Sequence, residues 1–193
     1  MGNVAIITAR GGSKRIFRKN IKNFLGKPIM AYSIETAKAS DLFEDVIVST
    51  DDNEIAAIAI QYGASVPFLR SDQNSNDHAS TADVITEVLE QLNATGKYYD
   101  YACCIYPTAP LMDAKSLQRG YSLLIKDNYD SVFPVCAYSY PVLRSLILND
   151  IGKVSMYWPE NLNVRSQDLQ LFYHDAGQFY WINVSAFFYK KKL

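Results

Sequence analysis

Thr8 to Asn20, TARGGSKRIFRKN, carries five cations (Arg10, Lys14, Arg15, Arg18 and Lys19) and no carboxylate, in a chain whose formal charge is −1. Gly11 and Gly12 let backbone amides approach an anion, Ser13 adds a hydroxyl donor, and Arg10, Lys14 and Arg15 supply charge. Those are the parts a triphosphate needs. The run matches neither GxxxxGK[ST] nor GxGxxG, so its chemistry rests on residue types and not on a standard phosphate motif. A solvated loop with ordinary surface cations is the competing reading. Asn20 offers an amide to a sugar or base, or it serves a turn.

Position favours a site. NVAIIT, Asn3 to Thr8, is a short β-branched apolar run that reads as a buried strand, so the cationic loop starts at a strand's carboxyl end. Pro28 to Ser40 reads as a helix opened by proline, with Ile29, Met30, Ile34 and Ala37 at helical spacing. Asp45 to Ser49 is the next strand. Asp51 and Glu54 have cap spacing before a helix whose stripe, Ile55, Ile58, Ala59 and Tyr62, stops at Gly63. Ala64 to Leu69 reads as a short strand, and Ser80-x-x-Asp83 as a capping box before Val84, Ile85, Val88, Leu89 and Leu92. Tyr99 to Tyr106 is a further buried strand. Leu117, Gly120, Tyr121 and Leu124 mark a helix, and Ser131 to Cys136 another strand. From about 138 to 193 the rhythm breaks into aromatic pieces expected to form a hairpin-rich extension of a single domain spanning 1–193.

Strand-helix alternation predicts a three-layer α/β/α, Rossmann-like fold with a mostly parallel sheet. Ligands of such sheets sit beyond the carboxyl ends of the strands. Four loops qualify: Ala9 to Asn20, Thr50 to Asp52, Arg70 to Ser80, and Pro107 to Met112.

The bulk numbers exclude several classes. A chain of 193 residues, 49% apolar and 20% charged, can bury its own core without disulfides. A pI near 6.1 argues against a nucleic-acid partner, because phosphate-backbone binding needs a broad basic face. Cys103, Cys104 and Cys136 fit no ligand or disulfide pattern and read as thiols of a reducing cytoplasm. No apolar run reaches the 18 residues of a membrane span, and the amino terminus lacks signal-peptide character.

ARGGSKRI…KN, followed by LGKPIMAYSIETA and VIVSTDDNEIAAIA…YGASVPFLR, resembles the acylneuraminate cytidylyltransferases, which make CMP-activated sialic acids. CCIYPTAPL and NVRSQDL…FYHDAGQFYW most resemble the branch acting on pseudaminic acid, and Tyr106, where the sialic-acid branch typically has Gln, favours that branch. The resemblance implies a nucleotide-diphospho-sugar transferase fold and attack of a nine-carbon sugar acid's anomeric hydroxyl on the α-phosphate of CTP, releasing pyrophosphate. It implies that Arg10, Gly11, Gly12, Ser13 and Lys14 hold the triphosphate, with Arg10 and Lys14 as the catalytic pair. Asn20 would lie near the nucleotide's sugar, and Arg70, Ser80 and Thr81 would face cytosine. Tyr106, Thr108, Arg144, Arg165, His174, Asp175, Gln178 and Phe179 would serve the sugar acid. Magnesium, a homodimer and a bacterial cytoplasm are implied as well.

Simpler roles compete at several positions. Ser80 completes a cap with Asp83, Arg70 has Asp72 and Asp77 as salt-bridge partners, and Gly177 shapes a turn. Two departures from the family stand out. Phe17 replaces the usual Pro after KRI, leaving the loop less fixed in φ. The magnesium-binding Asp-x-Asp-Thr segment that follows the aromatic hairpin in the family has no counterpart before SAFFYKKKL, and no Asp-x-Asp occurs anywhere, so no metal ligand is assigned. The expectation is a truncated or naturally short relative whose nucleotide binding outlasts catalysis. A cytidylyltransferase for another sugar acid, Neu5Ac or Kdo, is the remaining alternative.

Overall fold

A computed structural model describes residues 2–190. The elements run β1 (Asn3–Thr8), β2 (Asn23–Phe24), β3 (Lys27–Pro28), α1 (Ile29–Ala39), β4 (Asp45–Ser49), α2 (Asn53–Gln61), α3 (Asp72–Ser75), α4 (Thr81–Ala94), β5 (Tyr101–Ile105) and α5 (Ala114–Lys126). They continue with β6 (Ser131–Val132), β7 (Val135–Ala137), β8 (Leu146–Leu148), β9 (Val154–Met156), β10 (Tyr173–Asp175), β11 (Phe179–Asn183) and α6 (Val184–Lys190). Two compact units result, one holding residues up to Pro134 and from Gly177 onward, the other Val135–Ala176.

The larger unit is built on a five-stranded sheet of order β4-β1-β5-β11-β6. β1 pairs in parallel with both β4 and β5, which places Ile6 opposite Ile47 and Cys104. β11 alone runs against the others, antiparallel to β5 and β6. Alternation of side chains along the strands feeds two cores. Ala5, Ile7, Cys103, Ile105, Phe179 and Trp181 pack with residues of α1, α2 and α5 on one face. Val4, Ile6, Ala102, Cys104, Tyr180 and Ile182 pack with residues of α4 and α6 on the other. The fold is thus α/β with helices on both faces of a mainly parallel sheet, as the alternation predicted.

Local chemistry explains the helix boundaries. Pro28 precedes α1 at φ −54°, a value its ring enforces. Asp52, one residue later than the spacing indicated, caps α2 by accepting from the amides of Glu54 at 2.9 Å and Ile55 at 3.0 Å. Ser80 and Asp83 form the reciprocal capping box of α4. Gly120 lets α5 approach the sheet: a Cβ there would lie 3.0 Å from Trp181 Cδ1 and 3.1 Å from Phe179 Cε2.

Several elements differ from the sequence expectation, among them α6, a helix where the aromatic extension was expected to form hairpins. Ala64 to Leu69 supplies only a single bridge, between Ser65 and Ile47, because Pro67 has no N–H with which to extend a ladder. The strand expected over Ser131 to Cys136 divides around Phe133-Pro134; its first part joins β11 and its second joins β10. Phe179–Asn183, placed by sequence in the aromatic extension, is a strand of the main sheet. Its FYWI run is apolar on both faces, so both of its faces are buried.

Val135–Ala176 is the hairpin-rich region itself. Within it β7 pairs with β10, setting Cys136 opposite His174, and β8 pairs with β9, setting Ile147 opposite Ser155. All of its residues are half-buried or exposed. No helix among the described residues is long and apolar enough to cross a membrane.

Candidate nucleotide site

A cavity of about 740 Å³ opens where β1 and β5 end and α4 begins. Three of the four anticipated loops line it. The first contributes Arg10, Ser13, Lys14, Arg15, Lys19 and Asn20; the second contributes Arg70, Asn74, Asn76, Asp77 and Ser80, with Thr81 beside them; the third contributes Pro107 and Thr108, next to Tyr106. The fourth loop, after β4, lines no part of it. Its role is to hold the first loop in place.

That anchoring is electrostatic. Asp51 Oδ1 accepts from the Gly11 amide at 2.8 Å, so this amide, expected on a phosphate, is engaged within the protein. Arg18 sits in the left-handed region at φ 52° and reaches Asp52 through both terminal nitrogens, while also pairing with Glu54. Its hydrogen bond holds the Asp52 carboxyl below the usual carboxylate range, against the opposing effect of burial. Against the reading of the loop cations as solvated, two carboxylates hold Arg18. The close approach requires glycine at position 11, where a Cβ would lie 2.8 Å from Asp52 Oδ2. At Gly12 the corresponding position has no neighbour within 4 Å, so its backbone stays approachable.

The cations nearer the cavity meet the second loop. Arg10 Nη2 lies 2.9 Å from Asp77 Oδ1, Lys14 pairs with the other oxygen of the same carboxylate, and Arg10 Nη1 donates to the Asn76 carbonyl at 2.7 Å. Arg15 and Lys19 form no ion pair among the described residues and add cavity charge. Asn20 is buried and lines the cavity; its Nδ2 donates to the Arg10 carbonyl at 2.9 Å, and its buried Oδ1 has no hydrogen-bond partner.

Arg70 is only 7% exposed, yet no carboxylate of the described residues pairs with it. Its Nε donates to Ser49 Oγ at 3.0 Å and its Nη2 to the Ser49 carbonyl. The Asp72 or Asp77 bridge that competed in the sequence is not formed, because Asp77 goes to Arg10 and Lys14. Burial lowers the Arg70 pKa, and Asp51 and Glu87 oppose the shift at longer range. A guanidinium held at a cavity wall by neutral acceptors retains its attraction for a ligand oxygen.

Thr81 Oγ1 and the Tyr106 hydroxyl lie 3.4 Å apart at the α4 start. The Ser80 hydroxyl is taken up by the cap, with Asp83 N at 3.1 Å and Asp83 Oδ2 at 2.7 Å. Tyr106 is fixed by its backbone, its N–H donating to the Gln178 carbonyl at 2.8 Å and its carbonyl accepting from Ser33 Oγ at 2.9 Å. Gln178 and Phe179 are not among the residues lining the cavity, and Phe179 is buried in the sheet core.

The other candidates lie in Val135–Ala176. Arg144 Nη2 donates to the Val164 carbonyl, and its Nε is buried without a partner. Arg165 Nε pairs with Asp168 at 2.7 Å, while His174 Nδ1 lies 2.9 Å from the Asp175 carbonyl and its ring packs on Tyr138. Among the described residues, no group of three or more His, Cys, Asp or Glu could hold a metal ion. The carboxylate at the cavity, Asp77, is committed to cations. The described residues therefore supply no all-protein cage for magnesium, an ion that takes one or two carboxylates together with substrate phosphates.

Sequence reasoning missed Lys19, Asn74, Asn76 and Asp77 as parts of the cavity. A signal existed for Asp77, since it is a carboxylate on a loop expected to converge with five cations.

Residues 4–189 match the family model described as cytidylyltransferase. The chain is 44% identical over 181 residues to the pseudaminic acid cytidylyltransferase of Campylobacter jejuni, covering 94% of this chain and 78% of that one. It is 40% identical over 97% of its length to a Helicobacter pylori protein named as both a pseudaminic acid cytidylyltransferase and a hydrolase, of which it covers 36%. Its fold matches CMP:2-keto-3-deoxy-manno-octonic acid synthetase, solved with CTP, at a TM-score of 0.69 with 19% identity, covering 99% of this chain and 78% of that one. A family match across nearly the whole chain, on a fold that gathers cations at the carboxyl ends of its strands, establishes that the chain belongs to the cytidylyltransferase family.

Proposed function

We propose that this cytidylyltransferase transfers CMP from CTP to the anomeric hydroxyl of a nonulosonic acid, with pseudaminic acid the favoured acceptor, and releases pyrophosphate. The observation that carries the reading is the cavity in which Arg10, Lys14, Arg15, Lys19 and Arg70 converge beside the α4 start. The 44% identity to a pseudaminic acid enzyme supports the choice of acceptor. In the reaction the anomeric oxygen attacks the α-phosphorus and gives up its proton to solvent, the bond to the α–β bridging oxygen breaks, and pyrophosphate leaves with that electron pair. Catalysis of this kind consists mostly of positioning and charge neutralisation.

Arg10 and Lys14 balance the triphosphate, with Ser13 and the Gly12 backbone beside them. Arg70 and Thr81 face the cytosine, and the unpartnered Asn20 Oδ1 accepts from a ribose hydroxyl. Ser80 contributes through the cap it builds. Tyr106 and Thr108 are proposed for the sugar acid on the strength of their place in the cavity wall. Arg144, Arg165, His174 and Asp175 are proposed for the same ligand on the resemblance, and the unpartnered Arg144 Nε supports the first of them. Magnesium is implied by the family; with no ligand set for it among the described residues, the roles assigned here belong to side chains alone.

The exposed apolar strands of Val135–Ala176, with Leu146, Ile147 and Leu148 on one of them, support a homodimer as the working form. Buried Cys103 and Cys104 are consistent with a reducing cytoplasm.

A pyrophosphate-release assay with CTP, magnesium and pseudaminic acid tests the reading, and Neu5Ac and Kdo run in parallel decide the acceptor. Release with pseudaminic acid is expected. No release with any acid despite measurable CTP binding would favour the second reading, a nucleotide-binding relative without transfer activity.

A further inference from the structure

Asp77 occupies an unusual place for a loop carboxylate. Its two oxygens take Arg10 and Lys14, the pair proposed for the triphosphate, and the neighbouring Asn76 carbonyl takes the second terminal nitrogen of Arg10. A triphosphate that binds both cations therefore competes with this carboxylate for their charge and for the donors that now face it. Nor is the contact a chance meeting of two loose side chains. Asn76 Oδ1 accepts from the amides of His78 at 2.7 Å and Ala79 at 3.0 Å, fixing the turn that carries Asp77. Glu87 on α4 accepts from the Ser71 amide at 2.8 Å and from Asn74 Nδ2 at 2.6 Å, tying the start of the same loop to a helix. On the other side, the cationic loop is tied down by Asp51 and Asp52. Both partners are presented by anchored backbone, and the Lys14 hydrogen bond holds Asp77 below the usual carboxylate range.

We propose that Asp77 is a built-in counter-ion that competes with the ligand for Arg10 and Lys14, and so sets which anions the cavity accepts. This rests on the triphosphate reading of the loop and extends it to selectivity. A single carboxylate shared by two cations is displaced readily by a chain of phosphates, which presents several charged oxygens at once. A lone phosphate brings too little charge to offset the exchange. After transfer, return of Arg10 and Lys14 to Asp77 assists departure of pyrophosphate, because the leaving anion is replaced by a tethered one and not by bare solvent.

The test measures binding of inorganic tripolyphosphate, inorganic phosphate and CTP by calorimetry to the whole chain as wild type, D77N and D77E, at two salt concentrations. D77N is expected to bind tripolyphosphate and CTP about twofold to fivefold more tightly, the range that loss of a surface pair supports. Its gain for inorganic phosphate should be proportionally larger, narrowing the selectivity, while D77E stays near wild type. High salt should shrink the difference. D77S repeats the comparison should D77N not fold. Unchanged or weaker tripolyphosphate binding by D77N, or none by either protein, overturns the proposal. Failure of wild type to bind CTP while the tripolyphosphate differences stand would instead sink the CTP reading and leave Asp77 as a selectivity device.

Discussion

The two compact units solve opposite problems. In the sheet unit, β1, β5 and β11 bury both faces; Trp181 is fully buried, stacks on Phe43 with ring centres 5.1 Å apart and donates from Nε1 to the Leu117 carbonyl at 3.1 Å. In Val135–Ala176, strands of similar apolar content leave Leu146, Ile147, Leu148 and Val154 exposed. The difference shows that hydrophobic composition alone does not make a core. Burial needs a second layer, and the sheet has helices on both faces while Val135–Ala176 contains no α-helix to cover its hairpins.

The contrast can be broken first at the cysteines. Cys103 and Cys104 are buried in β5, which raises both thiols, Cys104 to about 12, whereas Cys136 on β7 is exposed. Because the thiolate is the nucleophile, an aromatic disulfide reagent at pH 8 should label Cys136 in the native protein and reach the other two only after denaturation. Rapid labelling of all three would show that β5 is not a closed core strand.

Trp181→Ala should be the most destabilising single change in the sheet, at about 3–5 kcal/mol by urea unfolding, since it removes a large buried ring together with its hydrogen bond to the Leu117 carbonyl. A loss below 1 kcal/mol would mean that the two-sided core is not what supports the unit.

At the join between core and cavity, Asp52→Ala should cost about 1–2 kcal/mol by removing the α2 cap and freeing Arg18. Asp52→Asn keeps a capping side chain and isolates the ion pair. Since Asp52 has a depressed folded pKa, its contribution is present above the unfolded value and is lost as pH falls through the folded one. The stability gap between wild type and Asp52→Asn should therefore close below about pH 4. A gap that does not narrow at all as pH falls below about 4 would show that charge pairing is not its source.

The smallest expected effect lies in the extension. Leu148→Ser should change unfolding stability by about 0.5 kcal/mol or less, as an exposed substitution, while shifting sedimentation toward monomer if these strands form the homodimer interface. A large loss of stability with no change in association would place Leu148 in a core of its own chain.

Local patterns in the chain were sufficient for much of the sheet unit. β-branched runs marked β1 and β4, helical stripes marked α1, α2 and α4, and the Ser80/Asp83 box marked a helix start, because strand burial and capping act over a few residues. Spacing missed by one at Asp52, where either of two adjacent aspartates could cap, and Asp51 turned out to serve Gly11. Periodicity also could not show that FYWIN leaves the hairpins to become β11, since an apolar run says that it is buried and not against what.

Within the candidate site, the order of residues already shows a glycine-containing cationic loop following a buried strand, and those residues suffice to suggest the family. Only the tertiary structure decided how that charge is divided: Arg18 to Asp52 and Glu54, Arg10 and Lys14 to Asp77, Arg15 and Lys19 to the cavity, with Arg70 held by Ser49. Coulombic partners are chosen by distance in space, and Arg10 and Asp77 are brought together by strands and helices that lie between them in the chain.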